Sequence, residues 1–250
     1  MTASTHDTQH VNVSDAALEQ LRHVSTATLT TQLFKRGLRN VFLQGVGPLV
    51  KPAPGVPNLV GPAFTLRNIP AREDLDHVGV FQDPDHPQRK AVESAPAGSV
   101  LVQDCRGEQS VASVGSILAL RLAKRGVAGM VSDGPVRDSG TISGLGLPLW
   151  CTGASAPLNL AKHHAVDINV PIACGGVPVY PGDIVVADVD GVVIVPREMA
   201  EEVARDAAEQ ELMEEFITQR IDEGRPLRGT YPPNEETLAA YREWRAQQGK

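Results

Sequence analysis

The chain has 250 residues, of which 42% are hydrophobic and 21% are charged, and its formal net charge is −7. This length and apolar content are sufficient for one large domain with a sizeable core, and they exclude a disordered or fibrous chain. The acidic balance and the 4% aromatic content offer no general basis for nucleic-acid binding, so no such partner is expected.

Residues 1–13 are polar and lack the apolar centre of a secretory signal, and we predict a disordered tail there. No run of about 18 apolar residues occurs, which predicts a cytoplasmic protein without a membrane span. The three cysteines, Cys105, Cys151 and Cys174, are too few and too irregularly spaced for a disulfide scaffold or a zinc ribbon. We expect them to be small buried hydrophobic residues.

The N-terminal third predicts two helices, a strand and an insertion. Ser14 and Ser25 are suited to cap the two helices. Residues 59–69 have the alternating pattern of a strand. Residues 70–90 are very polar and contain three prolines, which predicts a long surface loop, with a short helix near residues 89–93.

The central third alternates short apolar runs with helical patterns. Residues 99–103, 127–131 and 147–151 are typical of buried strands. A helical pattern over residues 117–125 separates the first two runs. Pro135 is suited to the first position of a second helix, which would precede the third run. This order predicts parallel central strands in an α/β fold.

The C-terminal third begins with valine- and isoleucine-rich runs, over residues 166–195, that glycines and prolines interrupt. Runs this short predict a second β layer made of hairpins, with one turn at Asp190-Gly191. A long charged helix is predicted over residues 197–223 and a last helix near the C-terminus. The predicted organisation is a tail over residues 1–13, a single domain over 14–224 and a C-terminal extension over 225–250.

The first candidate site is the pair Arg137 and Asp138, which follows a predicted buried strand and opens a predicted helix. Ligands of α/β layers bind at the carboxyl ends of strands. An arginine there can hold a substrate oxygen, and an aspartate beside it can hold a hard cation such as Mg²⁺. An ordinary surface pair on a first helical turn is the alternative.

The second candidate site is the helix start formed by Gly115, Ser116, Ile117 and Leu118. The backbone N–H groups of Ile117 and Leu118 would be free to bind a substrate carboxylate. A common Gly-Ser helix start without a ligand is the alternative. Because one short strand joins the two candidates, their helices should start at the same edge of the sheet.

Several segments together make a family recognisable, and they extend over roughly residues 25–215. The chain resembles the RraA-like family, which contains the regulator of ribonuclease activity A and the 4-hydroxy-4-methyl-2-oxoglutarate aldolases. The segments that carry the resemblance are GPAFTLR (61–67), AVESAPAGSVLVQDCRG (91–107), VGSILALRLAKRGVAGMVSDGPVRD (114–138), GLGLPLW (144–150) and PGDIVVADVDGVVIVP (181–196).

The resemblance implies a layered α/β/β fold of the swivelling-domain type, assembled as trimers or hexamers with sites between subunits. In the aldolases an Asp-x20-Arg-Asp motif supports catalysis by a divalent metal. Its residues correspond here to Arg137, which would bind the pyruvyl oxygens, and to Asp138, which would ligate Mg²⁺ or Mn²⁺. The amides of Ile117 and Leu118 would hold the substrate carboxylate.

The chain departs from this motif at Ser116, which stands where the family has its first aspartate. A serine hydroxyl carries no negative charge and cannot accept a proton from a metal-bound water as a carboxylate does. Compensation would have to come from Glu108, from Asp133 or from a neighbouring subunit.

Other polar groups favour structural roles. Lys162-His163-His164 invites a metal or Schiff-base interpretation, but adjacent side chains on a regular element point in different directions. A structural or surface role is favoured, with a site-facing His163 or His164 near a subunit interface as the alternative. Asp188 and Asp190 resemble part of a calcium loop, although a hairpin turn is favoured. A last group is expected to be a solvated acidic loop, with a position over the site as the alternative; its members are Asp74, Asp76, Asp83 and Asp85.

The leading hypothesis is a divalent-metal-dependent lyase, an aldolase or decarboxylase, that cleaves a C–C bond of a small 2-oxo acid. Examples of such substrates are 4-hydroxy-4-methyl-2-oxoglutarate and oxaloacetate, and the expected intermediate is a metal-stabilised pyruvate enolate. The alternatives are a non-catalytic regulator that binds a protein, such as a ribonuclease, and a degenerate enzyme that binds its ligand without converting it.

Overall fold

The helices begin where the sequence provides capping residues. Ser14 and Ser25 accept hydrogen bonds from the N–H groups of Ala17 and Thr28, which confirms both predicted caps. Pro87 opens the third helix, where its missing N–H costs nothing. The computed structural model describes residues 12–248. Its helices are α1 (Asp15–Leu21), α2 (Thr26–Lys35), α3 (Pro87–Ser94), α4 (Ser116–Lys124), α5 (Ser139–Ser143), α6 (Ala200–Asp222), the short kinked α7 (Leu227–Thr230) and α8 (Glu235–Gln248).

The strands form from the apolar runs, and every residue of β3, β4, β9 and β10 is buried. Continuous apolar runs of this kind are typical of strands covered on both faces. The strands are β1 (Gly47–Pro48), β2 (Leu59–Pro70), β3 (Val100–Asp104), β4 (Gly129–Ser132), β5 (Leu149–Cys151), β6 (His163–Ile168), β7 (Ile172–Cys174), β8 (Val177–Val179), β9 (Ile184–Ala187) and β10 (Val192–Val195).

Eight of these strands form one mixed sheet in the order β1–β5–β4–β3–β2–β9–β10, with β6 also paired to β2. The neighbours β2, β3, β4 and β5 run parallel, which confirms the predicted parallel centre. The hairpin β9–β10 is antiparallel and turns at residues 188–191, as predicted. The fold is therefore the mixed α/β class that the sequence predicts.

The predicted second β layer is not a separate sheet, because the long strand β2 belongs to both parts. Its residues 59–62 pair with β9, residues 63–67 pair with β3, and its last residues pair with β6. Gly61 lies where β2 passes closest to the neighbouring turn, since a Cβ there would lie 2.5 Å from the carbonyl oxygen of Gly98. Only β7 and β8 form a pair of their own.

Helices cover the two ends of the sheet through separate apolar clusters. One cluster joins α3, α4 and α5 to the parallel strands and contains Leu101, Leu122, Met130 and Ile142. The other joins α1, α2 and α6 to β9 and β10. The first cluster positions two parts of the chain that matter below. These are the start of α4, which follows β3, and the segment between β4 and α5.

The C-terminal helices confirm the predicted pattern with small changes of boundary. The predicted helix over residues 197–223 begins as a 3₁₀ turn, Arg197–Met199, and continues as α6. Helix α8 packs on α6 through Phe216 and Tyr241, whose ring centroids lie 5.7 Å apart. Of the predicted tail, residues 1–11 lie outside the described residues. Within residues 12–248, the helices all fall short of the length and apolarity that crossing a bilayer requires.

Candidate functional site

Helix α4 starts with backbone N–H groups that the protein leaves available. Gly115 is its N-cap and contributes no side-chain cap. The N–H groups of Ile117 and Leu118 lie in the first turn, where no carbonyl of the same helix is in position to accept them. No acceptor for either occurs among residues 12–248. This end of the helix can therefore bind an anion.

The segment after β4 is not helical before Ser139, so the predicted helix start at Pro135 is wrong. Its backbone bonds to neighbouring segments instead of to itself: the N–H of Val136 donates to Gly153 and that of Arg137 donates to Val114. Ser113 donates from both its N–H and its hydroxyl to the carbonyl of Pro135, at 2.7 and 2.9 Å. These bonds hold Arg137 beside the start of α4, and α5 begins only after Asp138.

Asp138 lies directly against the first turn of α4. Its Oδ2 accepts the N–H of Ser116 at 3.1 Å and the Ser116 hydroxyl at 3.2 Å, and the Arg137 Nε lies 3.7 Å away. The Ser116 N–H, then its hydroxyl and the Arg137 guanidinium, hold the pKa of the Asp138 carboxyl below its usual value. Asp138 is therefore an anion at neutral pH and a weak proton acceptor.

The backbone around Asp138 has two features that fit this arrangement. Asp138 adopts a left-handed conformation with φ of 55°, which is uncommon outside glycine and often marks functional sites. A Cβ at Gly115 would lie 3.0 Å from Asp138 Oδ2 and 3.1 Å from Arg137 Cγ. Glycine at position 115 therefore lets the guanidinium and the carboxylate approach the helix start.

The predicted site residues line one cavity of about 260 Å³. The side chains of Arg137 and Asp138 are 40% and 39% exposed, so an ion or a small ligand can reach both. Drug-sized ligands occupy pockets of about 300 Å³ or more, so this cavity suits a smaller molecule. The predicted residues that line it are Gly115, Ser116, Ile117, Leu118, Arg137 and Asp138.

Three further lining residues, Phe81, Gln88 and Arg89, were missed in the sequence, as were Leu158 and Asn159. Phe81 comes from a 3₁₀ turn, Val78–Gln82, and Gln88 and Arg89 come from the first turn of α3. All three belong to the 70–90 segment, which therefore lies over the site. Gln88 Nε2 donates to the carbonyl of Ser113 at 3.0 Å. Sequence patterns do not predict this contact, because a side chain makes it to a residue 25 positions away.

The prediction that the acidic loop is solvated is wrong for Asp76. Its side chain is only 2% exposed and its Oδ1 lies 2.7 Å from His164 Nδ1. Its Oδ2 accepts the N–H of Arg72. Asp76 therefore ties the 70–90 segment to strand β6, whereas Asp74 and Asp85 stay exposed and pair locally.

The acids that were candidates to compensate for Ser116 do not line the cavity. Asp133 is buried, and its carboxylate accepts the N–H groups of Cys105, Gly107 and Gly175. It therefore holds three loops together. Glu108 accepts the N–H and hydroxyl of Ser110. Within the described residues neither acid replaces the missing carboxylate.

The remaining candidates have structural roles. Asp188 accepts the N–H of Thr26 at 2.8 Å and the N–H of Asp190 at 2.8 Å, which supports the hairpin turn against a calcium loop. All three cysteines are free and buried, as predicted. Residues 12–248 contain no cluster of three or more histidine, cysteine or acidic side chains arranged for a metal.

A larger groove of about 1010 Å³ lies between the Pro-rich segment 49–59 and strand β5. Its titratable side chains are few, and Asp188 among them already accepts several hydrogen bonds. The smaller cavity at Arg137 is therefore the better candidate for chemistry, because it combines a guanidinium, a carboxylate and available N–H groups.

His163 and His164 point to different surroundings, as their adjacency predicts. His163 is completely buried, and its Nδ1 lies 3.3 Å from an Arg106 nitrogen. Its Nε2 has no hydrogen-bond partner within the described residues. Burial, reinforced by the Arg106 charge, lowers the pKa of His163 to about 4.

We expect His163 to make the stability of the protein depend on pH. Between its ordinary pKa of 6.5 and its folded pKa of about 4, the unfolded chain binds a proton that the folded chain does not. Stability from this group is therefore complete above pH 6.5 and falls as the pH is lowered towards 4. The free energy of unfolding, measured in urea, should fall between pH 7 and pH 5 by about 2 kcal/mol less in His163→Gln than in the wild type. The exposed His23→Gln should leave that loss as in the wild type, and an equal loss in His163→Gln would contradict this account.

Known proteins resemble this chain in sequence and structure. The RraA-like family, described as Aldolase/RraA, matches residues 11–194. A protein of Halalkalibacterium halodurans, named "Putative 4-hydroxy-4-methyl-2-oxoglutarate aldolase", is 31% identical over 206 residues, which cover 82% of this chain and 89% of that protein.

Two solved structures share the fold. Streptomyces coelicolor RraAS2, described as an unusual member of the RNase ES inhibitor RraA protein family, superposes with a TM-score of 0.72 at 33% identity. That comparison covers 82% of this chain and 96% of the other. An uncharacterized protein from Pseudomonas syringae pv. tomato gives a TM-score of 0.74 at 26% identity, covering 89% of this chain and all of the other. Because the family model matches most of the length of this chain, the chain belongs to the RraA-like family.

Proposed function

We propose that the chain is a divalent-metal-dependent lyase that cleaves a C–C bond of a small 2-oxo acid. The observation that carries the proposal is the meeting of Arg137, Asp138 and the free N–H groups of α4 around one small cavity. The name of the H. halodurans relative supports an aldolase, and oxaloacetate is a second substrate that yields the same pyruvate enolate.

The charges of the cavity indicate which end of the substrate would bind where. Its carboxylate would accept the N–H groups of Ile117 and Leu118, where the helix start favours an anion. Its keto oxygen would accept a hydrogen bond from Arg137. When the C–C bond breaks, negative charge develops on that oxygen, and a guanidinium fixed in advance stabilises it.

The residues present fit a hard divalent cation such as Mg²⁺ or Mn²⁺. Mg²⁺ is usually held by one or two carboxylates, with water and substrate oxygens completing its shell. Asp138 offers one carboxylate, and its Oδ1 receives no hydrogen bond from residues 12–248. When bound, the cation would draw electrons from the carboxylate and keto oxygens of the acid. Asp138 would hold it, and Arg137 would bind the same keto oxygen.

Of the two reactions, decarboxylation needs fewer catalytic groups than retro-aldol cleavage. Among the described residues that line the cavity, Asp138 is the only carboxylate and no histidine occurs. Retro-aldol cleavage needs a base to remove the proton of the 4-hydroxyl group, and Ser116 provides none. In decarboxylation the electron pair of the breaking bond passes into the enolate, CO₂ leaves, and water protonates the enolate. Decarboxylation is therefore the less demanding of the two reactions, and both acids stay substrates of the proposal.

A second candidate function is a non-catalytic regulator or a degenerate enzyme. The observation that favours it is Ser116, whose hydroxyl lies against Asp138 where the family has an acid. The description of the S. coelicolor relative as a member of a ribonuclease-inhibitor family supports the regulator. A regulator would keep its protein complex in an Arg137→Ala variant. It would also show no thermal shift with Mg²⁺ and pyruvate.

The assembly implied by the family is a homotrimer or a dimer of trimers, and we extend it to this chain as part of the proposal. A neighbouring copy would then complete the far wall of the open cavity. Sedimentation of the purified full chain would establish the number of copies, and a monomer would remove this part of the proposal.

The test is pyruvate release from oxaloacetate and from 4-hydroxy-4-methyl-2-oxoglutarate, with and without Mg²⁺. We expect Mg²⁺-dependent turnover, and we expect Asp138→Asn to lower it by about 100-fold or more, because the carboxylate that holds the cation is lost. Asparagine tolerates the left-handed backbone at this position, so the fold should persist. Asp190→Asn, in the exposed β9–β10 turn, is the matched control. Turnover that is absent with both acids, or unchanged in Asp138→Asn, would refute the lyase.

A further inference from the structure

The cavity contains a second arginine that the proposed chemistry does not use. Arg89 lines it together with Arg137 and Asp138. Its guanidinium carbon lies 4.2 Å from the centroid of the Phe81 ring, a cation–π contact. Among residues 12–248 the Arg89 guanidinium has no carboxylate within ion-pair distance and makes no hydrogen bond, whereas the adjacent Lys90 pairs with Asp85 at 3.1 Å. A half-buried guanidinium is thus left without an anion.

The position of Arg89 on its helix gives no structural reason for a positive charge. Arg89 lies in the first turn of α3, which contains no acidic residue. The start of a helix is the end that disfavours cations, so the charge destabilises α3 slightly. Burial also lowers the pKa of Arg89, although a guanidinium remains charged at any physiological pH. The cation–π contact with Phe81 offsets part of these costs, and a bound anion would offset more.

The charge of the cavity favours a ligand with more than one negative group. Arg89 and Arg137 contribute two positive charges, and Asp138 alone opposes them among the described lining residues. In the proposed function, the first carboxylate and the keto oxygen of the acid already engage α4, Arg137 and the cation. Arg89 is left for a group at the other end of the molecule.

The structure assigns Arg89 as a specificity-determining residue that binds the distal carboxylate of a dicarboxylic 2-oxo acid. The assignment rests on the proposed function and names the residue that recognises the second carboxylate of its substrate. It concerns an acid such as 4-hydroxy-4-methyl-2-oxoglutarate, whose distal carboxylate stays on the product, because a carboxylate that leaves as CO₂ must give up its charge. A guanidinium binds a carboxylate through two parallel hydrogen bonds, which no lysine or amide reproduces. The small volume of the cavity limits the acid to a short carbon chain.

Two neighbours fix Arg89 for this role. The Arg89 guanidinium lies over the Phe81 ring, and its N–H groups make no hydrogen bond to residues 12–248, so they are available to a ligand. Gln88, the preceding residue, anchors the first turn of α3 to the carbonyl of Ser113, two residues before Gly115. Phe81 and Gln88 are therefore positioning residues, and they hold Arg89 in register with the start of α4.

The test compares two acids of equal length in the presence of Mg²⁺, by calorimetric titration of the full chain. The acid 2-oxoglutarate ends in a carboxylate, whereas 2-oxopentanoate ends in a methyl group, and neither can undergo the retro-aldol reaction. We expect the wild type to prefer 2-oxoglutarate by about tenfold or more, as one charge-assisted pair allows. Arg89→Gln should abolish the preference and leave the affinity for 2-oxopentanoate unchanged. Arg89→Lys should retain part of the preference.

The controls separate this assignment from the proposed function. Lys90→Gln alters the neighbouring charge outside the cavity and should keep the full preference. Melting curves will show that each variant is folded. If the wild type binds both acids equally, or if Arg89→Gln weakens both equally, the assignment is wrong and the proposed function stands. If the wild type binds neither acid, the assignment is wrong, and the turnover measurement described above decides the proposed function separately.

Discussion

Replacing Arg137 by alanine is expected to lower kcat/KM for oxaloacetate by about 10²- to 10³-fold, the usual cost of removing one donor to a developing oxyanion. The reason is geometric. The Arg137 backbone is fixed to Val114 and its side chain lies beside Gly115, so the guanidinium is already near the start of α4 before the enolate forms. Because the side chain is 40% exposed, the fold should lose little stability.

Two further variants make this prediction specific to the guanidinium. Arg137→Lys keeps the charge but loses the planar pair of donors, and should recover only part of the activity. Arg205→Ala removes an arginine of α6 that is 67% exposed and distant from the cavity, and should leave kcat/KM unchanged. Wild-type activity in Arg137→Ala would show that the oxyanion is stabilised elsewhere.

Replacing Ser116 by aspartate should raise retro-aldol cleavage of 4-hydroxy-4-methyl-2-oxoglutarate by about tenfold or more, because it adds the missing proton acceptor. The Ser116 hydroxyl lies 3.2 Å from Asp138 Oδ2, so the new carboxylate would lie close to an existing one. Without a cation the two carboxylates repel each other, and one of their pKa values should rise. The variant should therefore melt at a lower temperature than the wild type, and Mg²⁺ should stabilise it more.

Ser116→Asn is the matched control, since it is similar in size to the aspartate but carries no charge. It should gain neither retro-aldol activity nor the larger Mg²⁺ stabilisation. Decarboxylation of oxaloacetate needs no base and should change less than the retro-aldol reaction in Ser116→Asp. If Ser116→Asp gains no activity although Mg²⁺ stabilises it strongly, the base required for aldol cleavage must come from another position.

Much of the fold could be predicted from sequence patterns, because the deciding interactions are local. The caps Ser14 and Ser25 bond to N–H groups three residues ahead, and the buried runs of β3 and β4 have the composition of strands covered on both faces. The two halves of the candidate site were also predicted to meet. That inference needed only the rule that neighbouring parallel strands deliver their following residues to one edge of a sheet.

Other features depend on contacts between distant segments. Pro135 is suited to open a helix, yet the N–H groups of Val136 and Arg137 donate to Gly153 and Val114, which keeps this segment out of a helix. Asp76 belongs to a polar, proline-containing stretch, yet His164 of β6 buries it. In both cases the partner lies more than 15 residues away, and no local pattern encodes it.

The amino-acid order alone thus established the α/β class, the family resemblance and the pairing of Arg137 and Asp138 with the α4 start, since periodicity, capping and motif spacing act over short distances. The three-dimensional packing settled that the 70–90 segment lies over the cavity and adds Phe81 and Arg89 to it. The physical reason is that Asp76 and Gln88 tie this segment to β6 and to Ser113, and burying such polar groups is favourable only where distant partners satisfy their hydrogen bonds.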